Sequence, residues 1–349
     1  MEEINMTLKV VCYGVRENEI SFFNQLNKYN FELTLIEDLL THDNSNTAAG
    51  MDAVLLRGNC IADLKNIKKL KDYGVKYLFT RTVGCNHIDL QAAADYDMYV
   101  ARVPSYSPNA IAELSLTLAM SLLRHTTYTT TRTANKDFRV DRYMFSKEVR
   151  NCKIGIIGTG RIGLTEAKLF KGLGADVLGY DIFQSDVAKQ TVTFMELDDL
   201  LKESDIVSIH IPYIPGKNDK IVNAEFISKM KDGAILINTA RGELQDNKAI
   251  LNALKSHKLE GFATDVFENE ENIFFQNFEK TNKKLDPTVQ ALVELYPRVL
   301  ITPHLGSNTD EALKNMIETS FKNLHDTITK GYTANAVPLP PKCKHICIS

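Results

Sequence analysis

The sequence predicts an α/β protein built from two doubly wound parallel-sheet domains, one inserted into the other. Three observations predict it. Short apolar strands alternate with helical stretches along nearly the whole chain, the order that yields parallel sheets covered on both faces. A second such series opens at Lys153 with a strand, a glycine turn and a helix. Between the two series, Val103-Pro104-Ser105-Tyr106-Ser107-Pro108 breaks the pattern, and its prolines favour an extended crossing segment. At 349 residues the chain is long enough for two domains of ordinary size.

Taken in order, Leu8 to Tyr13 is the opening strand, residues near 18–28 are helical, and Phe31 to Leu35 is the next strand. Asp52 to Leu56, Lys76 to Phe79 and Met98 to Ala101 follow as strands, with helical stretches between several of them. Asn109 to Arg124 forms a long apolar helix, either a bridge between domains or an ordinary buried helix. Six strands then begin near Lys153, Asp176, Asp205, Gly233, Gly261 and Arg298 and make one parallel sheet. The mostly polar stretch 271–297 is expected to be a surface excursion. Asp310 to Ile328 is helical and is expected to return to the first domain, and the proline-rich tail from Pro338 is expected to be loose. The expected domains are therefore 1–105 with 304–349, and 106–303. One domain inserted into another is expected to leave a cleft, the usual place for a small ligand.

Composition narrows the function. The formal net charge is −3, which gives no footprint for nucleic acid or an anionic membrane surface. No apolar run approaches the roughly 20 residues that span a bilayer. Met1-Glu2-Glu3 lacks the basic-then-apolar pattern of a signal peptide. Cys12, Cys60, Cys85, Cys152, Cys343 and Cys347 are scattered without paired metal-ligand spacing, so the expectation is a cytoplasmic protein with reduced thiols and no metal.

Gly158-Thr159-Gly160-Arg161-Ile162-Gly163 fits the G-x-G-x-x-G spacing. The first glycine permits a tight turn, the second lets a pyrophosphate approach the backbone, and the third lets helix and strand pack closely. The helix start offers free N–H groups and a partial positive charge. Leu164, Ala167, Phe170 and Leu173 continue at helical spacing, and the next strand ends at Asp181. An acid there accepts the ribose hydroxyls of NAD and repels the 2′-phosphate of NADP. A ligand-free glycine turn followed by an acid that merely ends a strand is the plainer alternative.

Three polar residues follow strand ends of the second series: Arg241 after Ile237-Asn238-Thr239-Ala240, Glu270 beyond Asp265, and His304 after Ile301-Thr302-Pro303. Open α/β sheets bind ligands at that edge. Arginine grips a carboxylate and polarises a carbonyl. Histidine donates a proton near neutral pH, and a carboxylate on its other nitrogen fixes the ring and favours imidazolium. Together the three suit reduction of a 2-oxo acid by a bound hydride carrier. A surface salt bridge for Arg241 and a solvated acid for Glu270 are the alternatives. His210 also ends an apolar strand, and with Pro212 it is assigned to the cofactor side or to structure.

With these residues in hand, the chain resembles the NAD-dependent D-2-hydroxyacid dehydrogenases from about residue 8 to 330. The resemblance rests on the glycine motif, on Asn238-Thr239-Ala240-Arg241-Gly242, on Asp265-Val266-Phe267-Glu268-Asn269-Glu270 and on Thr302-Pro303-His304. Tyr106-Ser107-Pro108-Asn109-Ala110-Ile111-Ala112-Glu113 resembles the D-lactate dehydrogenase branch, nearest in look to the (R)-2-hydroxyglutarate and (R)-2-hydroxyisocaproate dehydrogenases. Glu271 stands where many relatives have proline, a feature shared with that branch. The resemblance implies a Rossmann NAD domain inserted into a flavodoxin-like substrate domain. It implies that Arg241 binds substrate, that His304 is the acid/base and that Glu270 supports it. It further implies that Val83, Gly84 and Tyr106 hold the substrate carboxylate, that Asp265, Thr239 and Ala240 sit at the cofactor, and that the protein is a homodimer in which the long helix after Pro108 is a candidate contact. Arg57, at the end of a first-domain strand, either pairs with a distal substrate carboxylate or packs locally. The expected substrate is 2-oxoisocaproate or 2-oxoglutarate. Pyruvate, a non-enzymatic NAD-sensing regulator, and a Rossmann methyltransferase that leaves the Arg, Glu and His unexplained are the rivals.

Overall fold

The computed structural model describes residues 7–274, 276–281 and 283–343, so Cys347 lies outside the described residues. The chain divides into two compact units, Met1–Ser107 with Asn308–Ser349, and Pro108–Ser307.

The first unit holds β1 (Lys9–Tyr13), β2 (Glu32–Ile36), β3 (Ala53–Leu56), β4 (Tyr77–Thr80) and β5 (Tyr99–Ala101). All pair in parallel in the order β2-β1-β3-β4-β5, the flavodoxin-like order. The strands are apolar on both faces because both faces are covered. Val11, Tyr13, Val54 and Leu56 face one core with Ile67 and Leu70. The alternate residues Val10, Cys12, Ala53 and Leu55 face the other, with Phe23 and with Phe321 and Leu324 of the helix Asp310–Lys330. That helix starts where the Thr309 side chain accepts the Ala312 N–H and stops at Gly331, whose φ is 80°. The tail departs from expectation. Val337 N–H donates to Val100 O at 2.9 Å, Val337 and Leu339 pack on the core, and Cys343 N–H reaches Asp95 Oδ1 at 2.8 Å. Proline forbids a helix there but suits an extended path along a sheet edge.

The second unit holds β6 (Lys153–Ile157), β7 (Asp176–Tyr180), β8 (Thr193–Phe194), β9 (Ile206–Ile209), β10 (Ala234–Asn238), β11 (Leu259–Thr264) and β12 (Val299–Ile301). They form one parallel sheet in the order β12-β11-β10-β9-β6-β7-β8. The seventh strand corrects the expected six: β8 is a two-residue edge strand on Leu178 and Gly179, too short for a periodic signal. The polar stretch also differs from expectation. Within it the helix Pro287–Val293 is capped by the Asp286 side chain and buries Val289 and Leu292. The helix Pro108–Leu123 buries Leu118, Ala119 and Leu122 in the core around Ile154, Ile156, Phe170 and Ile237. Each large side chain so buried contributes about 1.5–3 kcal/mol. The chain runs from β6 to β7 and β8 on one side, then returns to β9 on the other. The point between β6 and β9 is therefore the topological switch, where such sheets bind ligands at the strand C-termini.

Among the described residues no helix is long and apolar enough to cross a membrane, and no group of three or more His, Cys, Asp and Glu is placed to hold a metal ion.

Candidate active site

The glycine turn sits at that switch point. Gly158 has φ 95°, and a Cβ there would meet the His210 carbonyl at 2.7 Å. A Cβ on Gly163 would stand 2.0 Å from Gly158 O, so this position is closed by the protein's own backbone. Gly160 is different: a Cβ there would meet nothing within 4 Å. The chain itself does not need a glycine at that point, but a ligand approaching the backbone does. Gly160 is also the N-cap of the helix Arg161–Gly172, with no side chain capping it. An uncapped, glycine-cradled helix start fits a pyrophosphate. Asp181 stands beside it, Oδ2 accepting the Thr159 N–H at 2.6 Å and the Thr159 hydroxyl at 3.2 Å. The His210 side chain is only 1% exposed and is turned inward, while Pro212 is exposed and its carbonyl accepts from Asn218 Nδ2 at 2.8 Å.

Arg241, Glu270 and His304 lie on three loops at the C-terminal edge of the same sheet. Arg241 follows β10. Its loop is fixed by Asn238, whose Nδ2 donates to Arg241 O at 3.0 Å and to Gln245 Oε1 at 2.7 Å. A Cβ on Gly242 would stand 1.9 Å from the Phe267 carbonyl carbon, so only glycine lets this loop lie against the one carrying Glu270. Thr239 Oγ1 bonds Ser115 Oγ at 2.7 Å, and the Ala240 N–H donates to Asn238 Oδ1 at 3.0 Å. Glu270 opens a short 3-10 turn after Asn269, whose φ is 56°.

His304 Nδ1 and Glu270 Oε1 are 2.5 Å apart. Glu270 is 19% exposed and His304 38%. Burial alone pulls the imidazolium downward. The Glu270 hydrogen bond, its charge and that of Asp265 oppose this and prevail over Arg241, so the His304 pKa is raised above 6.5. With Nδ1 held by Glu270, Nε2 is the nitrogen left for proton transfer.

Asp265 plays a part the sequence did not suggest. Its Oδ1 accepts from Thr302 Oγ1 at 2.5 Å and from Leu305 N–H at 2.7 Å, and its Oδ2 accepts from Gly306 N–H at 2.8 Å. Its backbone carbonyl accepts the His304 N–H at 3.0 Å. This carboxylate thus clamps the loop that holds His304 at φ 52°, a left-handed conformation uncommon outside glycine. Burial raises the Asp265 pKa despite those donors.

The remaining expected residues lie in the first unit. Arg57 follows β3 at that sheet's own switch point, beside β1, with its side chain over Gly14. Burial first, then the charges of Arg16 and Arg81, lower its pKa to about 10, with Glu19 opposing. Arg81 is buried and donates to Glu19 at 2.9 Å and to Gly14 O at 2.6 Å. Val83 and Gly84 sit in a loop held by side chains: Thr82 Oγ1 donates to Gly84 O at 2.7 Å, Thr80 Oγ1 bonds Thr82 Oγ1 at 2.7 Å, and His87 Nε2 bonds Thr80 at 3.1 Å. Burial lowers the His87 pKa to about 4, so this network rests on a neutral imidazole. Tyr106 O accepts from Asn315 Nδ2 at 2.7 Å.

Residues 116–306 match the model of the D-isomer specific 2-hydroxyacid dehydrogenase NAD-binding domain. The chain is 40% identical over 330 residues to an aromatic 2-oxoacid reductase of Clostridium sporogenes, covering 94% of this chain and 98% of that one. The chain belongs to the D-isomer specific 2-hydroxyacid dehydrogenase family. It is 38% identical to a D-lactate dehydrogenase of Lactiplantibacillus plantarum, covering 93% of this chain and 97% of the other. A solved D-2-hydroxyisocaproate dehydrogenase superposes with a TM-score of 0.85 at 35% identity, over 95% of this chain and 99% of that one. This dehydrogenase is therefore an NAD-dependent oxidoreductase, and the fold expected from the resemblance stands.

Proposed function

We propose that this dehydrogenase reduces a 2-oxo acid to the (R)-2-hydroxy acid with His304 as proton donor. The observation that carries the reading is the 2.5 Å contact between His304 Nδ1 and Glu270 Oε1, which favours imidazolium and leaves Nε2 to protonate the keto oxygen. When bound, NADH supplies the hydride that reduces C2. Gly158 to Gly163 would hold its pyrophosphate, Asp181 the ribose hydroxyls, and two loops the remaining cofactor contacts: Thr239 and Ala240 after β10, and Pro212 with the main chain of His210 after β9. Asp265 supports the same site by fixing the His304 loop. Arg241 polarises the keto group and neutralises developing charge on its oxygen. The N–H groups of Val83 and Gly84, with Tyr106, hold the substrate carboxylate.

The substrate we propose is larger than pyruvate, either 2-oxoisocaproate or 2-oxoglutarate. Arg57 supports the dicarboxylate: the positive charges of Arg16 and Arg81 act on it with Glu19 opposing them, and an anionic substrate side chain would offset that positive field. The test is NADH oxidation against pyruvate, 2-oxoisocaproate, 2-oxoglutarate and phenylpyruvate, with the product's chirality determined. Turnover of the larger acids to (R) products is expected. No turnover with any of the four contradicts the catalytic reading and favours a sensing role.

We also propose a homodimer through the nucleotide-binding unit, in the cytoplasm. Phe138, Val140 and Phe145 are 76%, 85% and 88% exposed on a segment tied down by Arg132, which pairs with Asp137 at 2.6 Å and with Asp141. Apolar side chains presented on a fixed segment suit a second copy of the chain. Sedimentation of F138D/F145D as a monomer beside a dimeric parent is the expected result, and two species of equal mass contradict it.

A further inference from the structure

The nucleotide-binding helix carries a carboxyl group that the chemistry above does not use. Glu166 lies on the helix Arg161–Gly172, on the face it shares with Gly163, Ala167 and Phe170, all of them buried. Its side chain is 0% exposed, and that of His210 is 1% exposed. Glu166 Oε2 and His210 Nε2 are 2.5 Å apart, and Ser208 Oγ approaches the same nitrogen at 3.0 Å. Glu166 Oε1 is buried with no hydrogen-bond partner. The bond to the imidazole is therefore what offsets the cost of burying this group.

The backbone of His210 is committed to the same place. Its N–H donates to Ile157 O at 2.7 Å, extending the pairing of β9 with β6. Its carbonyl, with the Ile211 nitrogen, forms the wall against Gly158, at 2.7 and 2.8 Å from where a Cβ would stand. One residue thus walls the glycine turn with its main chain and grips the helix after the turn with its side chain.

We propose that Glu166 and His210 are positioning residues for the dinucleotide. Their buried pair ties the helix Arg161–Gly172 to the end of β9 and so fixes the direction in which the N–H groups from Gly160 to Ile162 point. A pyrophosphate held by main-chain donors depends on that direction, because hydrogen bonds weaken steeply when misaligned. A carboxyl kept only for core packing would have no such link to the turn.

The test uses the full chain and reads NADH binding directly by the emission of the bound dinucleotide. E166M removes the acceptor while keeping an unbranched side chain, and E166Q retains an oxygen for the imidazole N–H. The expected result is an NADH Kd raised by about tenfold in E166M and by less in E166Q, since small misplacements of binding groups have effects of that size. The KM for 2-oxoisocaproate at saturating NADH and the pH limb set by His304 should stay in place. An NADH Kd within twofold of the parent in both variants overturns the proposal, as does a pH limb that moves in step with Kd. Should E166M not fold, H210Q carries the test, because it keeps the backbone wall and weakens only the side-chain tie. A raised Kd supports the proposal and an unchanged Kd overturns it.

Discussion

Replacing Glu270 by Gln removes the charge beside His304 while keeping the side chain's shape. At about 4 Å, two unit charges attract by about 1 kcal/mol in bulk water and about 4 kcal/mol at an effective dielectric of 20. His304 is 38% exposed and Glu270 19% exposed, so the pair lies between those limits, and solvent screening argues for the lower half. Taking ~2 kcal/mol of lost imidazolium stabilisation, the rate of reduction should fall by about thirtyfold at pH values above the His304 pKa of both parent and variant, and by less at lower pH. The direction with pH follows from the raised pKa of His304. Reduction needs the protonated ring, so activity is present at pH values below the His304 pKa and is lost as pH rises through it. E270Q lowers that pKa, so the alkaline limb of kcat/KM should move to lower pH. The assay is NADH oxidation from pH 5.5 to 9 for the parent and E270Q, with NADH affinity measured alongside. A limb that stays in place with kcat/KM within twofold of the parent would refute the role given to Glu270.

G160A should leave the melting temperature within about two degrees, because its Cβ enters open space at an ordinary φ of −70°, yet weaken NADH binding by at least about tenfold by filling the phosphate approach. Equal affinity for NADH in G160A and the parent would show that the open space is not the phosphate site. R57L should lower turnover of 2-oxoglutarate by about tenfold to a hundredfold, the worth of a charge-assisted hydrogen bond, while sparing 2-oxoisocaproate. An unchanged ratio of the two rates rules out the distal-carboxylate role of Arg57.

Much of this architecture can be read from the chain because buried parallel strands leave continuous apolar runs. Ile154 to Ile157 and Ala234 to Asn238 are recognisable without tertiary context. The strand β8 is not, since two residues carry no period. The helix Pro287–Val293 does leave a signal, an Asp followed by Pro at the helix start, but the polar residues around it hide its buried side. Arg241, Glu270 and His304 are visible by their positions after strand ends. The clamp by Asp265 is not visible, because it depends on main-chain N–H groups 40 and 41 residues away. Glu166 is an intermediate case. Its spacing from Gly163 and Phe170 places it on the buried face of the helix, and a buried acid demands a partner. Only the fold brings His210 to it, 44 residues along the chain.

The most direct test of the central claim is H304A, assayed for both NADH binding and reduction of 2-oxoisocaproate. Binding should stay within about twofold of the parent, because His304 lies outside the glycine turn, while reduction should fall by about a hundredfold or more, the usual contribution of a general acid. Near-normal turnover by H304A would contradict the assignment and move the proton donor elsewhere.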